Sequence, residues 1–196
     1  NLATSFARNG EKTLLIDGDL RKPDIAATLN LPKKLRGLQE VLLEGLEVTR
    51  AVFRMPSTGL YVLASDRSNT SDALDILGQP ATSTIIKRLA DNYDRVIIDS
   101  PPVLAFTDAL LWSKIADGVI ITTFVERTCN HDLRQAIERL QEIDTDILGT
   151  VVNNVQVKQS YNRYGYGYGF YEDYDNAGVN RDAVLLLSTE DDEDEV

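Results

Sequence analysis

Cysteine and histidine are almost missing from this 196-residue chain, which has one of each, Cys129 and His131. A single thiol excludes an internal disulfide and fits a reducing compartment. Cys129 and His131 stand two apart without the further soft ligands a zinc site needs, so both read as helix residues. No apolar run is long enough to cross a bilayer. Excess positive charge is lacking too. Net charge is −11, and without the six acids of Glu190 to Glu195 the rest holds 25 acids against 20 bases. That balance is ordinary for a soluble domain and argues against non-specific nucleic-acid binding. The acidic run itself reads as a solvated tail. No internal repeat occurs. The last absence is local. Nowhere does a Gly-rich loop with Lys and Ser/Thr open a helix to cradle phosphate. The chain begins at Asn1, inside what reads as a helix already under way, so the phosphate loop and a first strand are expected to precede it.

What is present suits one α/β domain followed by a tail, with a 43% hydrophobic fraction to fill a core. Helical spacing covers Asn1 to Arg8, with Asn9-Gly10 as its stop. Lys12 to Asp17, Leu60 to Ala64, Arg95 to Asp99, Gly118 to Thr123 and Ile147 to Asn153 read as apolar strands. Helices are expected at Asp24 to Leu29, Gly37 to Leu43, Asp72 to Leu77, Ser83 to Asn92, Asp108 to Ile115 and Cys129 to Ile143, with Ser65 to Ser71 a loop. Apolar strands alternating with amphipathic helices predict a doubly wound parallel sheet covered on both faces. Trp112, Phe106 and Phe124 read as core. The body is expected over 1–157 and the tail over 158–196.

Two strands end in acids. Leu14-Leu15-Ile16-Asp17-Gly18-Asp19-Leu20-Arg21-Lys22-Pro23 places two carboxylates one glycine apart. Val96-Ile97-Ile98-Asp99-Ser100-Pro101-Pro102 places a third. In an open α/β sheet ligands bind at the carboxyl ends of the strands. If the two strands are neighbours, Asp17, Asp19 and Asp99 converge at one edge. Crowded carboxylates there call for a positive partner, and Mg²⁺ with nucleotide phosphates is the usual one. A polar turn, or for Asp99 a cap before Pro101, is the bland alternative for either strand taken singly.

The first of these stretches closely resembles the Walker A′ motif of the bacterial tyrosine kinases. Val96 to Val103 resembles their Walker B motif, and Thr107-Asp108-Ala109 continues the usual pattern. Leu148-Gly149-Thr150-Val151-Val152-Asn153 resembles the strand that closes their domain. Tyr161 to Tyr174, holding six of the eight tyrosines, resembles their C-terminal cluster. The acid motif alone is shared with the wider partitioning-type ATPases. The resemblance implies an incomplete P-loop-type domain that transfers the ATP γ-phosphate to tyrosine with Mg²⁺. It implies Asp17 as general base, Asp17 and Asp19 as catalytic carboxylates, and Asp17, Asp19 and Asp99 as the magnesium group. Arg21, Asp99 and Asn153 are implied as nucleotide contacts, with Arg21 also a candidate subunit contact. Ser65 to Leu77 departs from the family's usual wording and receives no role.

The same resemblance implies control of capsular or exopolysaccharide chain length and export, at the cytoplasmic face of the bacterial inner membrane. Implied partners are a transmembrane co-polymerase or activator segment, further copies of the chain that phosphorylate one another, and a tyrosine phosphatase. Tyr161, Tyr164, Tyr166, Tyr168, Tyr171 and Tyr174 are the implied phosphoacceptors. Interleaved glycines keep such phenols from packing into an ordered element. Each phosphate adds about −1.5 to −2 charge, so a phosphorylated tail would repel its neighbours. Val184 to Leu187 is a brief apolar knot with two open readings, docked or incidental. Two other functions fit part of the pattern. One is a partitioning-type ATPase switch, in which Asp17 orients water. The other is a non-catalytic phosphoacceptor module of an export complex. A Gly-x-Gly-Lys-Thr-type loop upstream of Asn1 would favour an enzyme.

Overall fold

The computed structural model describes residues 1–32, 35–65 and 73–155, together with the backbone of Leu186–Leu187. Helix α1 (Leu2–Arg8) ends at Asn9, and Gly10 takes a φ of +92°, which glycine adopts cheaply, to turn the chain into β1 (Thr13–Asp17). The acid-rich loop leads to α2 (Ile25–Thr28) and α3 (Leu38–Glu44), the latter closed by Gly45 in the left-handed region. Two short elements, α4 (Val48–Ala51) and β2 (Phe53–Arg54), precede β3 (Tyr61–Leu63). Then come α5 (Ala73–Leu77), α6 (Pro80–Ala90) and β4 (Arg95–Asp99). The described chain closes with α7 (Asp108–Ser113), β5 (Val119–Phe124), α8 (Asn130–Gln141), β6 (Ile147–Asn153) and β7 (Leu186–Leu187).

Strand β1 lies at the centre of the first sheet, whose order is β2-β3-β1-β4. It is parallel to β3 and β4, while β2 runs antiparallel at the edge. Alternation along β1 feeds two cores. Leu14 and Ile16 pack with Leu63 of β3 and with Leu38, Val41, Ile76, Ile86, Leu89 and Trp112 from α3, α5, α6 and α7. Leu15 leans on the other cluster, where Ala3 of α1 and Ile25 of α2 meet Leu60 and Val62. Helices therefore cover this sheet on both faces, as parallel strands require.

Three features differ from the sequence expectation. The strands form two sheets instead of one, the second with order β5-β6-β7. Among the described residues the outer edges of β4 and β5 have no strand partner. Strand β5 is buried on one face only: Ile121 and Thr123 are covered while Ile120 and Phe124 are exposed. Phe106 and Phe124, expected in the core, are 39% and 45% exposed, whereas Trp112 is buried as expected. Pro80 opens α6 at its first turn, where its missing N–H costs nothing, so the helix starts earlier than its apolar spacing indicates.

Elements α4 and β2 escaped the sequence reading because tertiary contacts form them: Ala51 is buried and Phe53 registers with Val62. Cys129 and His131 lie at the start of α8 as expected, with Cys129 exposed. Of the loop expected at Ser65 to Ser71, only Ser65 is described. The apolar knot contributes Leu186–Leu187, paired antiparallel with Thr150 and Val151 of β6.

Candidate active site

Strands β1 and β4 are neighbours, and Asp17 and Asp99 are register partners at their carboxyl ends. Asp17 is almost wholly enclosed, at 1% exposure. Its Oδ2 accepts the Ile25 amide at 3.1 Å, while Oδ1 has no hydrogen-bond partner. Its backbone carbonyl accepts the Ser65 hydroxyl at 2.6 Å. Burial pushes the Asp17 carboxyl up to about 6; the Ile25 amide opposes this, and the charges of Asp99 and Asp19 add to it. Asp99 stands at the exposed edge. Partial desolvation raises its pKa first and Asp19 adds to it. Helix α1 packs beside β4, the strand that ends in Asp99.

Gly18 joins the two acids at a point with no room for a side chain. Its amide donates to the Asp99 carbonyl at 2.7 Å, and its carbonyl accepts the Trp112 indole N–H at 2.9 Å. A Cβ there would stand 2.7 Å from the Asp99 carbonyl oxygen and 2.9 Å from Trp112 Nε1. Asp19 turns back on its own loop, where Oδ1 accepts the amides of Arg21 at 3.1 Å and Lys22 at 2.9 Å. Arg21 reaches across to α7. Its Nε donates to Asp108 Oδ2 at 2.7 Å and its Nη2 to Oδ1 at 3.0 Å, and its guanidinium lies 4.9 Å from the centre of the Phe106 ring.

The three acids thus share one strand edge and feel one another's charge. Among the described residues no group of three His, Cys, Asp or Glu side chains is arranged to hold an ion. Asp17 and Asp19 each commit one carboxylate oxygen to backbone amides. The arrangement does fit Mg²⁺ bound the way it usually is with nucleotides, through one or two carboxylates, water and phosphate oxygens. The orphaned, buried Oδ1 of Asp17 supports that fit, because such an atom is costly unless a ligand or proton satisfies it.

The other expected site residues divide as follows. Arg21 is paired with Asp108, so its first duty is inside the protein. Asn153 closes β6 in the second sheet, where its carbonyl accepts the Val125 amide at 3.0 Å. Tyr161, Tyr164, Tyr166, Tyr168, Tyr171 and Tyr174 lie outside the described residues. The sequence reading missed Ser65, Trp112 and Asp108 as neighbours of the acidic loop. The signals were Thr107-Asp108-Ala109, which continues the family pattern, and the four-residue spacing of Asp108 and Trp112, which sets both on one side of a helix.

A parallel β-sheet wrapped by helices, with acids at the carboxyl ends of adjacent strands, is the architecture of the P-loop-type nucleotide-binding domains. Residues 1–154 match the AAA domain family. The chain is 32% identical to the tyrosine-protein kinase YwqD of Bacillus subtilis over 166 residues, covering 85% of this chain and 69% of that one. It superposes on the crystal structure of the VpsO kinase domain with a TM-score of 0.74 and 30% identity, over 79% of this chain and 75% of the other. The septum site-determining protein MinD of Pyrococcus horikoshii shares the fold, with a TM-score of 0.67 and 23% identity over 81% of this chain and 64% of that one. The chain belongs to the bacterial tyrosine-protein kinases, within the AAA domain family.

Proposed function

We propose that this chain catalyses ATP-dependent phosphorylation of tyrosine, with Asp17 as general base and its own C-terminal tyrosines as acceptors. The observation that carries the reading is the buried, half-satisfied Asp17 carboxyl in register with Asp99. A carboxyl near 6 is ionised at neutral pH, yet basic enough to accept a proton from an attacking phenol. In the step, a tyrosine oxygen bonds to the γ-phosphorus, the bond to the β,γ-bridging oxygen breaks, ADP leaves, and the phenol proton passes to Asp17. Mg²⁺, when bound, neutralises the phosphate charge that builds during transfer. Asp17, Asp19 and Asp99 are the residues that would hold it. Acceptors are drawn from Tyr161, Tyr164, Tyr166, Tyr168, Tyr171 and Tyr174, beside which Gly165, Gly167 and Gly169 stand in sequence.

By family likeness the setting is capsular or exopolysaccharide export. The partners there are a transmembrane co-polymerase segment, further copies of the chain and a phosphatase, and the place is the inner face of the bacterial membrane. No helix among the described residues is long and apolar enough to cross a membrane, so an anchor would come from elsewhere. The deciding experiment is phosphotyrosine mapping on the purified full-length protein, wild type against Asp17→Asn. Tyrosine phosphate confined to residues 161–174 and lost in the variant is expected. Undiminished phosphorylation in the variant removes Asp17 as base.

A further inference from the structure

Helix α7 holds the acidic loop at two points. Asp108 and Trp112 sit one helical turn apart, so both side chains leave the same side of α7. Asp108 is fully buried and receives both hydrogen bonds of the Arg21 fork. Trp112 is 2% exposed and donates its indole N–H to the carbonyl of Gly18. Between these grips lies Asp19, whose carboxylate is already tied to the amides of Arg21 and Lys22. Phe106, just ahead of α7, lies under the same guanidinium. The loop that follows Asp17 is therefore fastened at Gly18 and at Arg21 to one rigid helix, and Gly18 is fastened to Asp99 as well.

We propose that Asp108 and Trp112 are positioning residues for phosphoryl transfer: they act through Arg21 and Gly18 to hold the carboxylates of Asp17 and Asp19 in their working places. The proposal rests on the kinase reading above for its consequence in catalysis, but not for the clamp itself. A bidentate pair between a planar guanidinium and a buried carboxylate fixes orientation as well as distance. Displacing a catalytic group by about 1 Å costs roughly 100-fold in rate without requiring any loss of nucleotide affinity. The clamp also revises the expectation for Arg21. A guanidinium whose fork is filled by Asp108 serves the loop before it serves a phosphate.

Two measurements on the full-length protein test this. In steady-state kinetics, Arg21→Ala and Asp108→Asn should each lower kcat roughly 10- to 100-fold while leaving KM for ATP within about twofold. The double variant should be no slower than the worse single one, because both remove one interaction. Arg21→Lys should recover only part of the rate, since an ammonium cannot reproduce the fork. Trp112→Phe, which keeps most of the ring and loses the N–H, should also lower kcat. In hydrogen exchange, the peptide spanning Gly18 to Lys22 should exchange about tenfold faster in Asp108→Asn and Trp112→Phe, with distant strands unchanged.

A rise in KM for ATP in Arg21→Ala but not in Asp108→Asn would make Arg21 a phosphate contact and overturn the proposal. So would a lowered melting temperature with normal kcat, or unchanged loop exchange. If the wild-type protein phosphorylates no tyrosine, the kinase reading fails and the exchange measurement still decides the clamp. If Asp108→Asn does not fold, the Arg21 and Trp112 variants carry the test.

Discussion

Asp17 and Asp99 face each other in register across two parallel strands, and only Asp17 is buried. The pairing gives two carboxylates of one sequence pattern different environments. Asp17 keeps an unsatisfied oxygen inside the protein, while Asp99 stands at the open edge, on the strand beside which α1 packs. Desolvation raises both carboxyls above the ordinary carboxylate value, Asp17 to about 6.

The first expectation concerns pH. The Asp17 carboxyl titrates near 6 and must be ionised to accept a proton. The acidic limb of kcat/KM, which reports the free enzyme, should therefore rise through about pH 6. The check is a pH–rate profile at fixed Mg²⁺. A limb centred near 4 would mean that Asp17 has an ordinary carboxyl in the working enzyme.

Asp17 also has a stability consequence of unusual sign. Its folded-state pKa lies above the ordinary carboxylate value of 3.8, so the folded protein holds the proton more tightly than the unfolded chain. The group's contribution is complete below about pH 4 and is lost as pH rises to about 6. At roughly 1.4 kcal/mol per pH unit, the ionised carboxyl costs about 3 kcal/mol above that range. Asp17→Asn should thus abolish phosphotransfer and yet stabilise the fold by about 1–3 kcal/mol at pH 8. Urea melts at pH 8 and pH 4 check this, and the difference should vanish at the lower pH.

Gly18→Ala should damage both fold and activity. The added methyl meets the Asp99 carbonyl, Ile98 and Trp112, none of which is a free end. A loss of about 1–3 kcal/mol is expected from such overpacking, read from denaturant midpoints. Phosphotransfer should fall at the same time, because relief of the clash moves the loop that carries both acids.

Replacing Tyr161, Tyr164, Tyr166, Tyr168, Tyr171 and Tyr174 together by Phe should leave nucleotide binding intact and remove self-phosphorylation. Titration with a fluorescent ADP analogue and antiphosphotyrosine blotting give the two readouts. Persistent phosphotyrosine in that variant would place the acceptors elsewhere, Tyr61 and Tyr93 being the remaining phenols of these 196 residues.

The sequence alone determined the class of fold, the strands that end in acids and the family, since each rests on local pattern: apolar runs of strand length, helical spacing, and a ten-residue motif from Leu14 to Pro23. Local pattern has no access to what a side chain meets across the chain. Only the tertiary structure decided that β1 and β4 are neighbours, that Asp17 is buried with one oxygen unpaired, and that Arg21 is held by a residue 87 positions away. It also decided that Phe124 is exposed, because burial depends on which strand or helix covers a face and not on the residue itself. The two acids flanking Gly18 were visible from the start. What makes them unequal is desolvation and partner geometry, and both arise only when distant segments close around them.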